Sequence, residues 1–394
     1  MRCENVTLSS ISIGGQGSYG INAPAVNFSD DLYTYLRITD ITDDGKINKS
    51  GLKSVNDERA NLYILKPNDI VFARTGASTG RNYFYDGQDG VFVYAGFLIK
   101  FSLDPQKVNP KYIKYYCMSD KYKNWIRAFS SGSTRDNINA KTLGDMLIPL
   151  PPRSQQNNLV SILSLLDDKI EINNRINENL LQQAICFYSA LIDGKPKNGC
   201  IGDYCSIKSG FAFKSQWWQD SGVPVVKISS INQDNLNLSE CSFVSEDKIP
   251  LAKDFIVTGG DIIIAMTGII KFTMIPKTSQ TILVNQRVGK FFLGNNPVAR
   301  VPFIYCTLKQ YDIISEIINR TQGSVQPNIS ASDIMSVPCV MPPLKDIENF
   351  NASISPMFEM ILNNQYENQK LSQIRDSLLP KLISGQLDIS NLDI

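Results

Sequence analysis

The chain has 394 residues, 43% hydrophobic and 20% charged, which is the balance of a folded protein long enough for two or three domains. It contains no histidine, so the commonest general base and most nucleophile pairs and zinc sites are excluded. The eight cysteines form no CxxC pair, so we predict neither a disulfide framework nor a metal site. No apolar run is long enough for a membrane span and the start resembles no signal peptide, so we expect a cytoplasmic location.

The formal net charge is only +1, but the charge is unevenly distributed. Residues 1–150 carry 18 lysines and arginines against 15 acidic residues, and residues 192–340 carry 14 against 12. This small basic excess in two blocks is compatible with nucleic-acid binding, and ordinary scatter of surface charge explains it equally well.

The sequence repeats itself, and the repeat predicts two similar mixed α/β domains. The first match is an alternating run that predicts a strand, and the second predicts a turn, a buried strand and a glycine stop. Four ordered matches occur at offsets of 190 to 192 residues: 35–41 with 225–231, 67–76 with 259–268, 132–138 with 323–329, and 150–152 with 341–343.

An uninterrupted helical pattern follows each Pro-Pro pair. In both copies apolar residues recur at alternating spacings of four and three, which is typical of a coiled coil, and two asparagines stand at the same places in each series. We therefore predict two long antiparallel helices whose asparagines meet; the alternative is that each helix packs only on its own domain. The predicted seam includes Leu166, Ile170, Asn173, Asn177 and Phe187 in the first copy, and Met357, Ile361, Asn364 and Asn368 in the second.

A Gly, Ser and Thr-rich loop at 74–81 is matched in the second half by Thr267-Gly268 with Lys271 nearby, and the segments 130–137 and 321–328 match each other. These segments concentrate side chains that hold phosphates or read base edges. Such segments are also common connectors, and the Gly-Ser-x-x-x-Asn-Ile frame fits a turn before a strand equally well. Arg135 and Gln326 differ at matched positions, as expected if one scaffold presented different side chains to different sequences. The candidate DNA contacts are Arg74, Thr75, Ser78, Thr79, Arg81, Ser133, Thr134, Arg135 and Asn137 in the first half, and Thr267, Lys271, Ser324, Gln326 and Asn328 in the second.

No nucleotide-binding or catalytic motif is present in the sequence. There is neither a GxxxxGK[ST] loop nor a GxGxxG run after a strand, and no adenine-methyltransferase motif, because the Pro-Pro pairs have the wrong flanking residues. We accordingly predict no catalytic residue, no metal ligand and no cofactor site.

Several segments resemble the specificity subunits of Type I restriction-modification systems, and the resemblance covers nearly the whole chain. The segments that carry it are 202–214, 223–228, 378–387 and the two Pro-Pro helix starts. The resemblance implies an α+β fold with pseudo-two-fold internal symmetry. It places target-recognition domains at 1–152 and 192–343, and long helical spacers at 153–191 and 344–394.

The resemblance also implies a function without catalysis. Subunits of this family read a bipartite target in double-stranded DNA, dock two adenine-N6 methyltransferase subunits, and are joined by restriction subunits that translocate and cut DNA. S-adenosylmethionine, ATP and Mg are then expected on the partner subunits. The alternative is a protein-interaction scaffold whose coiled coil dimerises, and a stand-alone nuclease is disfavoured by the lack of histidine.

Overall fold

The computed structural model of the chain describes residues 3–49, 51–130, 137–232, 235–321 and 327–387. The described residues form two compact units. Unit 1 comprises Met1–Asp167 with Gln373–Ile394, and unit 2 comprises Asp168–Ser372. Within the described ranges no helix is both long enough and apolar enough to cross a lipid bilayer.

Unit 1 is built on two four-stranded sheets and one strand pair. One sheet is antiparallel with the order β2-β9-β6-β7, the other has the order β3-β5-β4-β8 with β4 parallel to β8, and β1 pairs with β10. The strands are β1 (Glu4–Thr7), β2 (Ser18–Tyr19), β3 (Ala25–Val26), β4 (Tyr33–Leu36), β5 (Lys53–Val55), β6 (Asp69–Ala73), β7 (Asn82–Tyr85), β8 (Phe92–Tyr94), β9 (Leu98–Ser102) and β10 (Leu147–Leu150).

The helices of unit 1 cover the β2-β9-β6-β7 sheet. Its core joins Phe72 and Phe101 of the sheet with Tyr112 and Ile113, and with Leu382 near the chain's end. The helices are α1 (Pro110–Met118), α2 (Asp120–Ser130), α3 (Ala140–Gly144) and the part of α4 (Arg153–Ile192) up to Asp167, with 3-10 helices at Ser9–Ile11, Ile38–Asp40, Ala60–Tyr63 and Gly76–Ser78.

Unit 2 repeats this sheet architecture. The antiparallel sheet has the order β12-β22-β19-β20, and the mixed sheet has the order β13-β17-β14-β21-β18 with β14 parallel to β21. The strands are β11 (Gly199–Cys200), β12 (Ser206–Ser209), β13 (Trp218–Gln219), β14 (Val223–Val226), β15 (Ile231–Asn232), β16 (Asn235–Leu236), β17 (Ser242–Val244), β18 (Ile256–Val257), β19 (Ile262–Ala265), β20 (Phe272–Met274), β21 (Ile282–Val284), β22 (Val288–Phe292) and β23 (Pro338–Cys339).

The helices of unit 2 also pack on its antiparallel sheet, in a core that includes Phe291, Phe303 and Phe358. They are α5 (Ile201–Tyr204), α6 (Val301–Leu308), α7 (Tyr311–Asn319), α8 (Ala331–Met335) and the long α9 (Leu344–Ser384), of which the residues from Gln373 belong to unit 1. Its 3-10 helices are Ser215–Trp217, Ile228–Ser230, Leu238–Glu240, Glu246–Phe255 and Pro297–Ala299.

The alternating run at 35–41 is a strand only in its first part, so the prediction of a strand over the whole run is wrong. β4 ends at Leu36 and a 3-10 helix follows at Ile38–Asp40. The Asp40 carboxylate accepts hydrogen bonds from the Arg37 amide at 2.8 Å and from its guanidinium Nε at 2.9 Å. This local cap competes with strand pairing. The matching run breaks in the same way, because β14 ends at Val226.

The buried strand predicted from the second repeat match is confirmed in both units. All five residues of β6 and all four of β19 are buried. Each strand region carries a buried aspartate that pairs with a lysine of the neighbouring strand, at 3.4 Å for Asp69 with Lys100 and 3.4 Å for Asp261 with Lys290. The repeat thus extends from sequence to backbone and to internal ion pairs.

Within unit 2, α4 and α9 form an antiparallel pair joined by asparagines. Asn173 Nδ2 donates to Asn368 Oδ1 at 2.9 Å, and Asn364 Nδ2 donates to Asn177 Oδ1 at 2.8 Å. Asn173 is 1% exposed and also donates to Glu367 at 2.7 Å. The structure therefore brings together the asparagines of the two predicted seams, and Ile170 and Ile361 are buried on the same faces.

The seam departs from the predicted spacing near the end of α4. Phe187 was predicted to face α9, but it is 55% exposed, whereas Tyr188 is 1% exposed and its ring packs against Phe350. A straight α-helix turns every 3.6 residues, so a strict seven-residue repeat drifts by about 20° per heptad. The buried face has therefore moved by one residue at this point. In α9 Phe358 is fully buried, while its neighbour Met357 is partly buried against the same core.

In unit 1 the two long helices are joined by a partly buried ion-pair network. Arg375 Nη1 lies 3.0 Å from Asp167 Oδ1, and Lys114 Nζ lies 3.2 Å from Oδ2 of the same carboxylate. Tyr115 donates its hydroxyl to Asp167 at 2.9 Å. Burial raises the pKa of the Asp167 carboxyl, but Lys114, Arg375 and Tyr115 together outweigh burial, so its pKa lies below its usual value.

Replacing Arg375 by alanine should lower the free energy of unfolding of unit 1 by about 2 kcal/mol at neutral pH, because a partly buried carboxylate loses one of its two cationic partners. Since the folded pKa of Asp167 is depressed, the contribution of the pair is full above the unfolded pKa of about 4 and is lost as the pH falls through the folded pKa. The cost of the substitution should therefore shrink below about pH 4.

Urea denaturation followed by tryptophan fluorescence measures this effect in unit 1 alone. The chain has 3 tryptophans, and in a Trp217→Phe/Trp218→Phe background only Trp125 remains. Arg59→Ala, which removes an ion pair with Asp57 whose arginine is 63% exposed, serves as the control and should leave the transition nearly unchanged. Equal effects of the two substitutions would contradict a stabilising role for the partly buried network.

Candidate nucleic-acid interface

In both units a loop leaves the central strand of the antiparallel sheet and is held by backbone hydrogen bonds. In unit 1 the loop covers residues 74–81, and the Ala73 amide donates to the Arg81 carbonyl at 2.8 Å. In unit 2 it covers residues 266–271, and the Ala265 amide donates to the Lys271 carbonyl at 2.8 Å. The two loops begin and end at equivalent positions although the second is shorter.

A second segment is the turn that precedes the neighbouring strand of the sheet, β9 in unit 1 and β22 in unit 2. This turn is hydrogen-bonded to the first residue of each loop. The Arg74 amide donates to the Phe97 carbonyl at 3.0 Å, and the Met266 amide donates to the Arg287 carbonyl at 3.0 Å. Each turn is closed in the same way, by Leu98 N to Ala95 O at 2.8 Å in unit 1 and by the matching bond at 2.9 Å in unit 2.

A third segment reaches the same place from the far end of each domain. The Ile138 amide donates to the Arg74 carbonyl at 2.9 Å, and the Ile329 amide donates to the Met266 carbonyl at 3.0 Å. The preceding asparagines, Asn137 and Asn328, form bridges with Thr75 and Thr267. Three segments that are far apart in sequence therefore meet at one edge of each unit.

We define two surfaces from these segments. Loop surface 1 consists of residues 74–81, the turn 95–98, Tyr19 and Asn137. Loop surface 2 consists of residues 266–271, the turn 285–288, Ser209 and Asn328. Tyr19 and Ser209 are equivalent because each precedes a glycine whose amide donates to the carbonyl of the first residue of the neighbouring strand, β9 or β22. The distances are 3.2 Å for Gly20 and 2.9 Å for Gly210.

In loop surface 1 the side chain of Arg74 is held in a fixed position. Its Nε donates to Asn137 Oδ1 at 3.2 Å, and its guanidinium carbon lies 4.9 Å from the centre of the Tyr19 ring. Tyr19 is 41% exposed, and its hydroxyl accepts the Ala140 amide at 3.1 Å. The arginine is thus stacked on one side and bonded on another, while its two terminal nitrogens make no hydrogen bond to a described residue.

The other predicted residues of this loop, apart from Thr75, are buried or have hydrogen-bond partners within the protein. Arg81 is engaged by Asp43, with Nε 2.6 Å from Oδ1 and Nη2 3.2 Å from Oδ2. Ser78 is buried, and the Thr79 hydroxyl donates to the Gly76 carbonyl at 2.8 Å. These side chains shape the loop, whereas Arg74 and Thr75 lie at its partly exposed edge.

In loop surface 2 Thr267 is 3% exposed and donates its hydroxyl to the Asn328 amide oxygen. Lys271 is partly exposed and has no carboxylate partner among the residues that the structure describes. Ile269 at the loop tip is 77% exposed. The predicted contacts Ser133, Thr134, Arg135, Ser324 and Gln326 lie outside the described residues.

The two turns that complete the loop surfaces are not predicted from the sequence. Phe97 is 59% exposed, and Gln286 and Arg287 are exposed at the equivalent turn. A signal was available, since Phe97 and Arg287 lie at the repeat offset of 190 residues and differ inside a shared backbone frame. It was hidden because neither turn contains the Gly, Ser and Thr pattern that marked the loops.

An aromatic and lysine cluster borders loop surface 2, and the described residues of unit 1 form no cluster of the same composition. The Gln286 amide donates to the Phe211 carbonyl at 3.0 Å, and the Phe211 ring stacks on Trp217 with centroids 6.3 Å apart. Three lysines lie over the tryptophans, at 5.4 Å for Lys214 and 5.2 Å for Lys248 over Trp217, and at 4.1 Å for Lys227 over Trp218.

Comparison with known proteins agrees with the repeat. The family model for the Type I restriction modification DNA specificity domain matches the chain twice, at residues 22–182 and 195–375. The Type I restriction enzyme MjaIX specificity subunit of Methanocaldococcus jannaschii is 25% identical over 72% of this chain and 70% of that protein. The MjaVIII specificity subunit of the same organism is 22% identical over 94% of this chain and 90% of that protein.

A solved structure is similar over the same extent. The S subunit of a Type I restriction-modification system from M. genitalium aligns over 97% of this chain and 96% of that chain, with 19% identity and a TM-score of 0.47.

The two matched regions together cover most of the chain. This chain belongs to the Type I restriction-modification DNA specificity family. The resemblance found in the sequence is thereby confirmed, as is the expected α+β fold with two similar mixed domains and a pair of long antiparallel helices. Specificity subunits, as the curated relatives are named, are the non-catalytic components of Type I restriction systems.

The glycine at the end of loop 74–81 yields a test of the loop's packing. Gly80 has φ of +84°, and a Cβ built there would lie 2.5 Å from Cγ2 of Ile126. Tyr122 donates its hydroxyl to the Gly80 carbonyl at 2.6 Å, and burial raises the pKa of Tyr122 well above its usual value, so the donor stays protonated. Gly80→Ala should destabilise unit 1 by about 1 to 3 kcal/mol more than a glycine replacement without the clash.

Gly76→Ala is the matched control, because Gly76 has φ of +70° but open space around its Cβ position. Both variants carry the cost of a left-handed residue, and only Gly80→Ala adds the steric contact. The same single-tryptophan fluorescence assay in urea compares them. Indistinguishable midpoints would mean that loop 74–81 is not packed against α2 as described.

Proposed function

We propose that this chain reads a bipartite target in duplex DNA, with loop surface 1 contacting one half-site and loop surface 2 the other. The proposal rests on one observation: the same hydrogen-bonded frame is built twice and presents different side chains each time. A frame made from backbone bonds keeps its shape when side chains change, which suits recognition of two different sequences. The recognition domains are proposed at 1–152 and 192–343, with helical regions at 153–191 and 344–394.

The chemistry of the two surfaces fits duplex DNA. Arginine forks onto guanine O6 and N7 in the major groove, and threonine and asparagine donate to or accept from base edges. We assign these roles to Arg74, Thr75, Asn137 and Asn328, and we assign the buried Thr267 to holding Asn328 in place through its hydroxyl. Lys271 is assigned to a phosphate, and Ser78, Thr79 and Arg81 to holding the loop in place. Ser133, Thr134, Arg135, Ser324 and Gln326 are proposed contacts on the sequence pattern alone.

We further propose that the long helices dock methyltransferase subunits. Apolar side chains stand exposed on the helices of each unit, and long exposed apolar helix faces are typical of protein-binding surfaces. In unit 2 Ile172 is 52% and Ile176 38% exposed, one helical turn apart on α4, and Met360 of α9 is 50% exposed. In unit 1 Leu165 is 61% and Ile374 46% exposed.

On the family's pattern, two adenine-N6 methyltransferase subunits bind here and restriction subunits join the complex. S-adenosylmethionine, ATP and Mg would then be bound by those partners. This chain would supply the target sequence and the partners would supply the chemistry.

Binding to random duplex DNA tests the DNA-reading proposal. Lys271→Ala should weaken binding to all sequences alike and lower the slope of log affinity against log salt by about 1, because one phosphate contact is lost. The measurement is fluorescence anisotropy with the chain in complex with its methyltransferase subunits, between about 50 and 200 mM salt. Lys345→Ala, at an exposed lysine of α9, is the control and should leave the slope unchanged.

A wild-type complex that fails to bind duplex DNA at the lowest salt would overturn the proposal and favour a protein scaffold. Methylated adenines mapped in cells that express the wild-type complex identify the target directly. Two unlike half-sites are the expected outcome.

The docking proposal has a separate test. Ile172→Asp/Ile176→Asp should abolish co-purification of the methyltransferase subunit, because two charges replace an exposed apolar pair. The circular dichroism spectrum and thermal transition of the free chain should stay unchanged. Gln182→Asp/Gln183→Asp adds the same charges at exposed polar positions of α4 and should retain the partner. Retention by both double variants would rule out docking on this face.

A further inference from the structure

In each loop surface one arginine has terminal nitrogens with no hydrogen bond to a described residue, and this arginine stands at a different position of the shared frame in each unit. In unit 1 an arginine occupies the first position of the loop, at Arg74, and the equivalent residue of unit 2 is Met266, which is 5% exposed. In unit 2 an arginine occupies the turn, at Arg287, and the equivalent residue of unit 1 is Phe97. Arg81 of loop surface 1 is paired with Asp43, so each surface has one arginine with free terminal nitrogens, and it comes from a different segment in each unit.

The equivalence rests on backbone bonds and not on alignment alone. Residues 74 and 266 both donate their amide to the turn, accept the amide of the residue after the asparagine, and follow the alanine that closes the loop. Residues 97 and 287 are the acceptors of those amides, at 3.0 Å in each unit. Each pair therefore marks one place in the frame.

The remaining arginines of unit 2 with described side chains are committed elsewhere. Arg175 pairs with Glu171 at 3.0 Å, Arg300 donates to the Tyr204 carbonyl at 2.6 Å, and Arg320 pairs with Glu316 at 2.9 Å. Arg287 is exposed, and its guanidinium has no hydrogen bond or ion pair to a described residue. Among the described arginines of unit 2 it alone has its full set of donors available.

In unit 1, too, one described arginine keeps its terminal nitrogens available while the others have partners. Arg74 uses only Nε, toward Asn137, and keeps both terminal nitrogens available. The other described arginines of the unit have partners: Arg37 with Asp40, Arg59 with Asp57, Arg81 with Asp43, Arg127 with Asn124, Arg153 with the Pro105 carbonyl, and Arg375 with Asp167.

We infer that Arg74 and Arg287 are the guanine-reading residues of the two surfaces, and that Arg287 takes over in unit 2 the role that Arg74 has in unit 1. This inference rests on the proposed DNA-reading function. An unpaired guanidinium at a surface matches the O6 and N7 acceptors of guanine with two parallel hydrogen bonds, which a lysine cannot reproduce. The buried, uncharged Met266 removes that possibility at the loop of unit 2.

The two arginines also differ in how firmly neighbouring residues hold their side chains in place. Arg74 is stacked on Tyr19 and bonded to Asn137 before DNA arrives, so little side-chain entropy is lost when it binds. At the equivalent places of unit 2 stand Ser209, which offers no ring, and Asn328, whose amide oxygen accepts from Thr267. Arg287 therefore has no support of this kind among the described residues.

The test is to map methylation, and to measure binding, with the complete methyltransferase complex carrying Arg287→Ala, Arg287→Lys or Arg74→Ala. Arg287→Ala should reduce discrimination for guanine at one position of one half-site by about 10- to 100-fold and leave the other half-site unchanged. Arg74→Ala should do the same in the other half-site. Arg287→Lys should keep most affinity but lose the discrimination, because a single ammonium cannot fork.

Two further variants guard against trivial explanations. Arg175→Ala removes an exposed arginine of α4 in the same unit and should change neither half-site. Arg74→Met/Phe97→Arg moves the arginine of unit 1 to the position used in unit 2 and should restore guanine discrimination that Arg74→Met alone has lost.

The outcomes separate the inference from the proposed function. A wild-type complex that methylates no defined site would contradict both the inference and the proposed function. A site-specific wild-type complex with unaltered base preference in Arg287→Ala overturns the inference alone. It is also overturned if Arg287→Ala weakens binding to every sequence equally and lowers the salt slope by about 1, since that is the behaviour of a phosphate contact.

Discussion

The backbone amide and carbonyl of residue 74, and those of its equivalent Met266, hold loop surfaces 1 and 2 together. Through them the end of the central strand is tied to the turn before the next strand and to the segment after the helices, with distances of 2.9 to 3.0 Å in both units. Buried backbone groups must be paired, so this geometry is enforced by the cost of leaving them unpaired. The exposed side chains of the three segments contribute little to it, and they are the ones that differ between the units.

The two long helices are likewise held together by specific polar contacts in each unit. In unit 2 their contact is polar at its centre, where Asn173, Asn177, Asn364 and Asn368 are joined by hydrogen bonds. In unit 1 the contact depends on Asp167 and Arg375. Polar groups inside an apolar seam accept only partners at the right height, which fixes the register of the two helices at some loss of stability.

Much of this architecture could be predicted from the sequence because the repeat and the helical periodicity are long-range signals. The two domains, the buried strands β6 and β19 and the helix pair were all accessible in this way. The strand expected through Ile41 was wrong because the Asp40 carboxylate caps a 3-10 helix, which a pattern of alternating residues does not reveal. Phe187 was misplaced because the helix keeps its 3.6-residue turn.

The loop surfaces were harder to predict, because segments distant in sequence assemble them. The loops carry a local composition that marks them, but the turns with Phe97 and Arg287 join the surface only through hydrogen bonds to residues about twenty positions earlier in the chain. Arg81 matched the pattern of a DNA contact, yet Asp43 engages its guanidinium. Only the folded chain distinguishes an arginine that is already paired from one that is available.

The turn positions 97 and 287 have one more consequence, for how such a protein changes over generations. Their main chains are fixed by the frame, while their side chains point to solvent and are free of folding duties. Substitutions there alter the exposed surface at little cost in stability, and one copy of the frame can change without the other. Under the proposed function, a change at one of these positions would alter the target preference of one half and leave the other half and the fold as they were.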